Sequence, residues 1–274
     1  MNYSNYHTHT IFCDGADSPE ELVLEAIHLG CPEIGFSGHS FLKEDSGSMS
    51  PKDTQAYCAE VRRLKTVYFG RINILLGIEL DYYSELPQDE HFDYVIGAVH
   101  YVKKDGLMLA VDESRDGFLQ TVRDVYRGDY YGFAEDYYRE VADLHNKTCC
   151  DIIAHFDLIA KYNEGNSLFD TGHPRYVAAA TAALDSLMNS HSILEINTGA
   201  IARGYRSEAY PERWILGRWL DAGKPVILSS DCHDRRQLLF GFPQTEMNVP
   251  CSEQMLSSLS SFITKRNLRQ CDHN

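Results

Sequence analysis

Short apolar segments alternate with helix-like segments along almost the whole chain, and this alternation limits the possible folds more than any other feature. The strand-like segments fall at residues 2–6, 33–38, 72–78, 93–99, 151–154, 192–196 and 225–229. The segment 72–78 is almost entirely apolar, which is typical of a parallel strand buried on both faces. Strands that alternate with helices favour a parallel sheet, and such a sheet commonly closes into a barrel. We therefore predict an α/β fold in the form of a seven-stranded, TIM-barrel-like barrel.

Residues that favour helix ends mark the segments between the strands. Ser18 followed by Glu21 predicts a capping box, Ser50 predicts a second helix start, and Gly30 and Gly70 can end these two helices. Further helices are predicted at 114–127, 131–147, 174–189, 211–221 and 252–266. The polar loop at 41–50 is expected to cover the site. Because composition shows no break or linker, we expect residues 1–274 to form a single domain.

The composition excludes several functional classes. Hydrophobic residues make up 43% of the chain, which is enough for a sizeable core. The net charge of −15 argues against a nucleic-acid partner, because phosphate backbones are bound by basic surfaces. No apolar run is long enough for a membrane span, and the first residues do not resemble a signal peptide. The eight cysteines include no CxxC pair, so we expect reduced thiols and a cytoplasmic location.

Histidines and acidic residues follow the predicted strands. The carboxyl ends of parallel strands meet on one face, so these side chains should converge there. In extended chain, residues two apart point to the same side, and His7 and His9 can therefore reach one metal ion. The sixth strand ends in Glu195 and Asn197, to which no role is assigned. The candidate metal ligands are His7, His9, Asp14, His39, Glu79, His100, His155, Asp231 and His233.

Taken singly, most of these residues have a simpler explanation. His100 and His155 are each better interpreted as core histidines, His39 as a helix cap or a core histidine, and one HxH pair is a weak signal. Glu79 is harder to explain, because an acid at the end of an apolar strand needs a partner. The set as a whole indicates a site for divalent ions. Mixed nitrogen and oxygen donors suit Zn, Mn or Fe without deciding among them.

Seven motifs in this order resemble those of the PHP (polymerase and histidinol phosphatase) superfamily. They are HTHT at 7–10, CDG at 13–15, SGHS at 37–40, GIEL at 77–80, GAVHY at 97–101, AHFDL at 154–158 and SSDCH at 229–233. Within the superfamily, the chain looks most similar to the stand-alone histidinol-phosphate phosphatases. The resemblance implies a distorted (β/α)7 barrel with two or three metal ions at the carboxyl ends of its strands.

The resemblance also implies how the ligands divide among the ions. One ion would be held by His7, His9, Glu79 and Asp231. Glu79 would bridge to a second ion held by His100 and His155. The third would be held by Asp14, His39 and His233, with Asp14 as a harder ligand where many relatives have histidine.

The implied activity is a phosphomonoesterase that converts L-histidinol phosphate to L-histidinol and phosphate in histidine biosynthesis. Clustered ions would lower the pKa of a shared water, and the resulting metal-bound hydroxide would attack phosphorus. Asp231, or otherwise His233, is expected to protonate the leaving alkoxide. Arg203 is the first candidate for binding the phosphate, with Lys161 and Arg206 as weaker candidates, although each could equally be a surface charge.

Three alternatives stay open at this point. An amidohydrolase-type metallohydrolase also begins with HxH, but no lysine directly follows a predicted strand to bridge two metals. A PHP phosphoesterase acting on a nucleotide, an oligonucleotide or phosphotyrosine would share the motifs. A metal-binding module without turnover is disfavoured by the full set of candidate ligands. We expect a small phosphorylated substrate, no nucleic acid and no membrane partner, while the oligomeric state and the metal are undetermined.

Overall fold

A curled, parallel sheet of six strands forms the centre of the protein. The structure is a computed structural model that describes residues 3–249 and 252–271. The strands are β1 (Glu33–Phe36), β2 (Asn73–Asp81), β3 (Tyr94–Ala98), β4 (Tyr101–Lys104), β5 (Leu107–Ala110), β6 (Ile152–Ile153), β7 (Ile193–Asn197) and β8 (Val226–Ser229). Within the sheet their order is β1-β2-β3-β6-β7-β8, so each strand pairs with the next along the chain once the β4–β5 hairpin is set aside.

Residues 5–9, which we call the closing segment, lie between the two edges of this sheet. Asn5 pairs in parallel with Ile34 of β1, and Thr8 pairs in parallel with Cys232 after β8. Each side has only one such bridge, so the segment is not a regular strand as predicted for 2–6, where residue 2 lies outside the described residues. With these bridges the sheet closes on itself, and the predicted α/β fold, a distorted seven-membered barrel, is confirmed.

Nine α-helices connect and cover the strands in the described part of the chain. They are α1 (Pro19–His28), α2 (Pro51–Val67), α3 (Arg115–Asp124), α4 (Tyr130–Thr148), α5 (Pro174–Leu187), α6 (Gly199–Ala202), α7 (Arg213–Asp221), α8 (Phe242–Met247) and α9 (Leu259–Cys271). The capping box of α1 is present, because Ser18 Oγ accepts from Glu21 N and the Glu21 carboxylate accepts from Ser18 N. None of these helices is both long enough and apolar enough to cross a membrane.

Several segments differ from the sequence-based prediction, among them the short helices α6 and α8, which it did not include. The helix predicted at 252–266 begins only at Leu259, and a short 3₁₀ turn occupies residues 252–254. An antiparallel hairpin of β4 and β5, absent from the prediction, follows His100. Its turn residues Asp105 and Gly106 have φ values of +50° and +82°. An Asp-Gly pair is the usual signal for such a hairpin turn, so the sequence contained the information.

The barrel interior below the site is filled by aromatic and aliphatic side chains. Tyr94 is 1% exposed and its hydroxyl donates to the backbone carbonyls of Tyr6 and Phe36. A Cβ at Gly35 or Gly77 would lie within 2.4 Å of Tyr94, so only glycine fits beside this ring. This packed floor leaves the opposite end of the barrel, where the strands finish, as the place for polar side chains.

Candidate metal centre

Glu79 lies at the middle of the polar end of the barrel, on β2, and is 1% exposed. Its Oε2 lies 3.2 Å from His7 Nε2 and 3.0 Å from His39 Nδ1. Its Oε1 lies 3.1 Å from His155 Nε2 and 3.5 Å from His100 Nε2. The two oxygens therefore face two sets of histidines, which is the arrangement expected of a carboxylate shared by two ions.

Asp231 closes one side of the cluster, directly after β8. Its Oδ1 lies 3.2 Å from His9 Nε2 and 3.6 Å from His7 Nε2. Its backbone φ of +49° is in the left-handed region, which is uncommon for a residue other than glycine. Arg203 supports this conformation, because its guanidinium donates to the Asp231 carbonyl at 2.9 Å and to Oδ2 at 2.8 Å.

A more open group lies on the solvent side. Asp14 is 39% exposed at its side chain, and its Oδ2 lies 3.1 Å from His233 Nε2. Its Oδ1 lies 3.6 Å from both His9 Nδ1 and His39 Nε2. The ring of His9 stacks on that of His233 with centroids 4.0 Å apart. These four residues form one compact group of donors.

All nine candidate ligands thus lie together, in four groups that share members. Within each group, the donor atoms are within 4.8 Å of one another. The grouping differs from that implied by the resemblance, since His9 also joins Asp14, His39 and His233. His155 groups with His7 and Glu79, whereas His100 groups with His39 and Glu79. The assignment of particular ligands to particular ions stays a prediction. The groups are His9, Asp14, His39 and His233; His7, His9 and Asp231; His7, Glu79 and His155; and His39, Glu79 and His100.

The unpartnered atoms of this cluster fit a cation. Among the described residues, the buried atoms His7 Nε2, His9 Nε2 and Glu79 Oε2 have no hydrogen-bond partner. Leaving such atoms unpaired in the interior costs roughly 1–3 kcal/mol each. Because they lie close together and are nitrogen and oxygen donors, one or more divalent ions would satisfy them.

Burial and neighbouring charges shift the pKa values of groups in the cluster. Burial by itself would raise the pKa of the Glu79 carboxyl, but His7 and His39 hold the pKa well below its usual range. Burial lowers the pKa of His9 to about 3, helped by the nearby His233 and His39. Glu79 is therefore ionised and His9 is neutral at pH 7, which are the forms in which both residues bind metal.

Two carboxylates without a predicted role, those of Glu195 and Asp81, contact the ring nitrogens of candidate ligand histidines. Glu195 Oε1 lies 2.6 Å from His7 Nδ1. Asp81 Oδ2 lies 3.3 Å from His100 Nδ1 and accepts a hydrogen bond from the His100 backbone N–H at 3.0 Å. The sequence signal for them is an acid at or near the end of a buried strand, on β7 for Glu195 and on β2 for Asp81.

A cavity of about 410 Å³ opens beside the cluster, and seven of the nine candidate ligands line it. Glu44, Asp45, Ser46 and Gly47 from the loop at 41–50 form part of its wall, as expected of a loop near the site. Lys161, Arg203 and Tyr205 lie on the wall as well. A pocket of this size accommodates a small molecule.

The three predicted phosphate-binding residues have different surroundings. Arg203 lines the cavity, although Asp231 and His233 already occupy part of its guanidinium. Lys161 also lines it, and its Nζ donates to the Asp112 carboxylate at 2.9 Å. Arg206 is not among the lining residues, and its Nη1 donates to the Ala160 carbonyl at 3.1 Å.

Comparison with known proteins agrees with this architecture. The PHP domain family matches residues 5–199. A protein named probable histidinol-phosphatase from Schizosaccharomyces pombe is 27% identical, with 85% of this chain and 81% of that protein aligned. One of the same name from Deinococcus radiodurans is 28% identical, with 86% of this chain and 88% of that protein aligned.

Two crystal structures share the fold. The hisK protein from Listeria monocytogenes superposes with a TM-score of 0.76 at 21% identity, over 88% of this chain and 99% of that one. Histidinol phosphate phosphatase from Lactococcus lactis, solved with Zn, L-histidinol and phosphate, gives 0.60 at 20% identity, over 90% of this chain and 93% of that one. The family match covers most of the barrel and includes seven of the nine candidate ligands, so the chain belongs to the PHP domain family.

Proposed function

We propose that this chain is a metal-dependent phosphomonoesterase that hydrolyses L-histidinol phosphate to L-histidinol and phosphate. The observation that carries the proposal is the convergence of nine residues with nitrogen or oxygen donors, Glu79 among them, beside a cavity lined by Arg203 and Lys161. The names of the relatives and the L-histidinol and phosphate in the Lactococcus lactis structure support the choice of substrate.

The nine donors would hold two or three divalent ions, with Glu79 shared between neighbouring ions. Bound ions of this kind make water a better nucleophile at neutral pH and offset charge on phosphoryl oxygens. The choice among Zn, Mn and Fe stays open, and the Zn in the Lactococcus lactis structure supports the first of them.

The cavity residues have roles that follow from their chemistry. Arg203 is proposed to bind the phosphate, because the guanidinium fork matches phosphate oxygens. Lys161 is a second candidate, with Asp112 holding its ammonium in place. Arg206, whose guanidinium is directed at Ala160, is the least favoured of the three. Asp231 and His233 line the cavity and are the two candidates for protonating the leaving alkoxide.

The cellular role follows from the substrate. A histidinol-phosphate phosphatase would act in histidine biosynthesis, and we propose a cytoplasmic location. The free thiols of Cys13, Cys31, Cys58, Cys149, Cys150 and Cys232 support a reducing compartment. The net charge of −15 supports a small-molecule substrate over nucleic acid.

A substrate panel tests the proposal directly. Phosphate release is measured from L-histidinol phosphate, a nucleoside monophosphate, phosphotyrosine and a short oligonucleotide, with Zn or Mn added and after chelation. We expect a kcat/KM for L-histidinol phosphate at least tenfold above the others, and its loss on chelation. Equal or faster hydrolysis of another member of the panel would reassign the substrate, and activity that survives complete ion removal would refute the metal dependence.

A further inference from the structure

Glu195 contacts two candidate ligands that come from different parts of the chain. It lies on β7 and is completely buried. Its Oε1 lies 2.6 Å from the ring Nδ1 of His7 in the closing segment. Its Oε2 accepts from the backbone N–H of His155, just after β6, at 2.8 Å. One carboxylate thus connects a ligand at the barrel closure with a ligand on the neighbouring strand.

The contact with the ring decides which nitrogen of His7 is free. An ionised carboxylate can only accept hydrogen bonds, so Nδ1 must carry the proton. A metal ligand must then use Nε2, whose lone pair points away from Glu195. That atom is buried, has no hydrogen-bond partner among the described residues, and lies 3.2 Å from Glu79 Oε2. The lone pair is therefore directed at the centre of the cluster.

The second carboxylate oxygen of Glu195, Oε2, accepts two hydrogen bonds. Besides the His155 N–H, it accepts from Asn197 Nδ2 at 2.9 Å, and Asn197 lies on the same face of β7. These three contacts on its two oxygens orient the carboxylate. A glutamine in its place would keep the shape, but it would lose the charge and would carry an N–H on one side.

We propose that Glu195 is a positioning residue of the metal centre: it fixes the proton and the orientation of the His7 ring, so that Nε2 binds the innermost ion. The proposal rests on the metal site of the proposed function. It concerns ion affinity, however, and so it can be tested whatever the substrate proves to be. Carboxylates behind ligand histidines typically account for about 10–100-fold in metal affinity.

The test compares ion affinity in matched variants of the full chain. Zn affinity is measured with chelator-buffered Zn for the wild type, Glu195→Gln and Glu33→Gln. Glu33 is the control because it is also a buried glutamate on a strand, 7% exposed. Its carboxylate accepts hydrogen bonds from Tyr6 and Asn73 at the other end of the barrel. We expect Glu195→Gln to weaken the tightest Zn by about 10–100-fold and Glu33→Gln to leave it unchanged.

A second measurement remains decisive if Glu195→Gln does not fold. In the Zn-loaded wild type with ¹⁵N-labelled histidine, the His7 ring, identified with His7→Asn, should show a slowly exchanging N–H on Nδ1. A proton on Nε2 instead, or equal Zn affinity in Glu195→Gln and the wild type, would overturn the positioning role. If the wild type binds Zn as expected yet leaves L-histidinol phosphate intact, the proposed function fails while the role of Glu195 stands.

Discussion

Arg203 contacts the candidate metal ligands Asp231 and His233 and also lines the cavity that we propose to bind the phosphate. Its guanidinium holds Asp231 in a left-handed backbone conformation, and it also lines the cavity. Burial lowers the pKa of Arg203, but Asp231 more than offsets this and raises the pKa, so the residue is always charged. A permanently charged, oriented guanidinium beside the ligands is well placed to meet a phosphate.

Replacement of Arg203 by alanine should lower kcat/KM for L-histidinol phosphate by about 10²–10³-fold, the range seen when one transition-state donor is removed. Ion content, measured by mass spectrometry, should fall by much less than kcat/KM, because Arg203 contacts Asp231 and His233 while the other candidate ligands come from several other elements. Arg213→Ala is the control, since Arg213 is exposed and pairs with Glu208 away from the cavity. An unchanged kcat/KM in Arg203→Ala would remove this residue from the phosphate site.

At the scale of elements, the β4–β5 hairpin depends on its turn. Gly106 has a φ of +82°, in the region that favours glycine, and a Cβ at this position would have no other atom within 4 Å. Conformation rather than space therefore limits this position. The hairpin is attached to α4, because the Lys103 backbone N–H donates to Glu140.

Gly106→Ala should lower the free energy of unfolding by about 1 kcal/mol, because alanine is strained at positive φ. Gly217→Ala is the matched control. Gly217 lies in α7, has no positive φ and has open space around it, so alanine there should stabilise the protein by roughly 0.5–1 kcal/mol. Denaturant unfolding of both variants checks the opposite signs. A neutral or stabilising Gly106→Ala would contradict this account of the turn.

Glu140 of α4 gives this contact a dependence on pH. Burial raises the pKa of Glu140 from 4.5 to about 7, although hydrogen bonds from Tyr83 and Lys103 act in the opposite direction. The folded protein therefore keeps this proton between pH 4.5 and 7, whereas the unfolded chain releases it. Folding stability must fall as pH rises through this window.

Glu140→Gln should remove that decrease. Relative to the wild type, its free energy of unfolding should increase by about 1–2 kcal/mol between pH 5 and pH 8, after allowance for partial exposure of the group. Both proteins contain the same metal cluster, so the contribution of its titration cancels when their free energies of unfolding are compared. Glu135→Gln is the control on the same helix, because Arg175 lowers the pKa of Glu135, so it titrates below this range. No difference between Glu140→Gln and the wild type would contradict the raised pKa.

For the whole molecule, closure of the barrel depends on a few buried contacts of the closing segment. Asn5 is 1% exposed, and its Nδ2 donates to Ser230 Oγ at 2.7 Å and to the Leu238 carbonyl at 3.0 Å. Its own carbonyl accepts from Gly35 N at 2.8 Å. One residue therefore joins both edges of the sheet, two positions before His7.

Asn5→Ala should lower the free energy of unfolding by about 1–3 kcal/mol, because it leaves buried polar partners unpaired. Asn189→Ala, on the exposed end after α5, should change it by less than about 0.5 kcal/mol. Denaturant titration of both variants gives the comparison. Equal stability of Asn5→Ala and the wild type would show that the closing segment is held in some other way.

The prediction that residues 1–274 form one domain stays a prediction. It is supported by the position of α9, whose Leu259 is fully buried and packs with Tyr6 and Ile227 on the floor of the barrel. The family match ends at residue 199, but Asp231 and His233 beyond it complete the cluster.

Local sequence patterns determined much of this protein. Periodicity and capping residues placed the strands and most helices, because these signals act within a few residues of chain. The order of histidines and acids after the strands indicated the candidate ligands, because parallel strands must finish on the same side. The Asp-Gly turn of the hairpin is an equally local signal, although the prediction did not include it.

Only the tertiary structure decided which polar side chains face each other. Glu195 and His7 are 188 positions apart, and nothing local to either indicates their contact. Arg203 and Arg206 are three residues apart and chemically alike, yet one lines the cavity and the other is directed at Ala160. Such outcomes depend on the curvature of the sheet and on how its two edges are joined, which is set by packing of the whole barrel and not by any one segment.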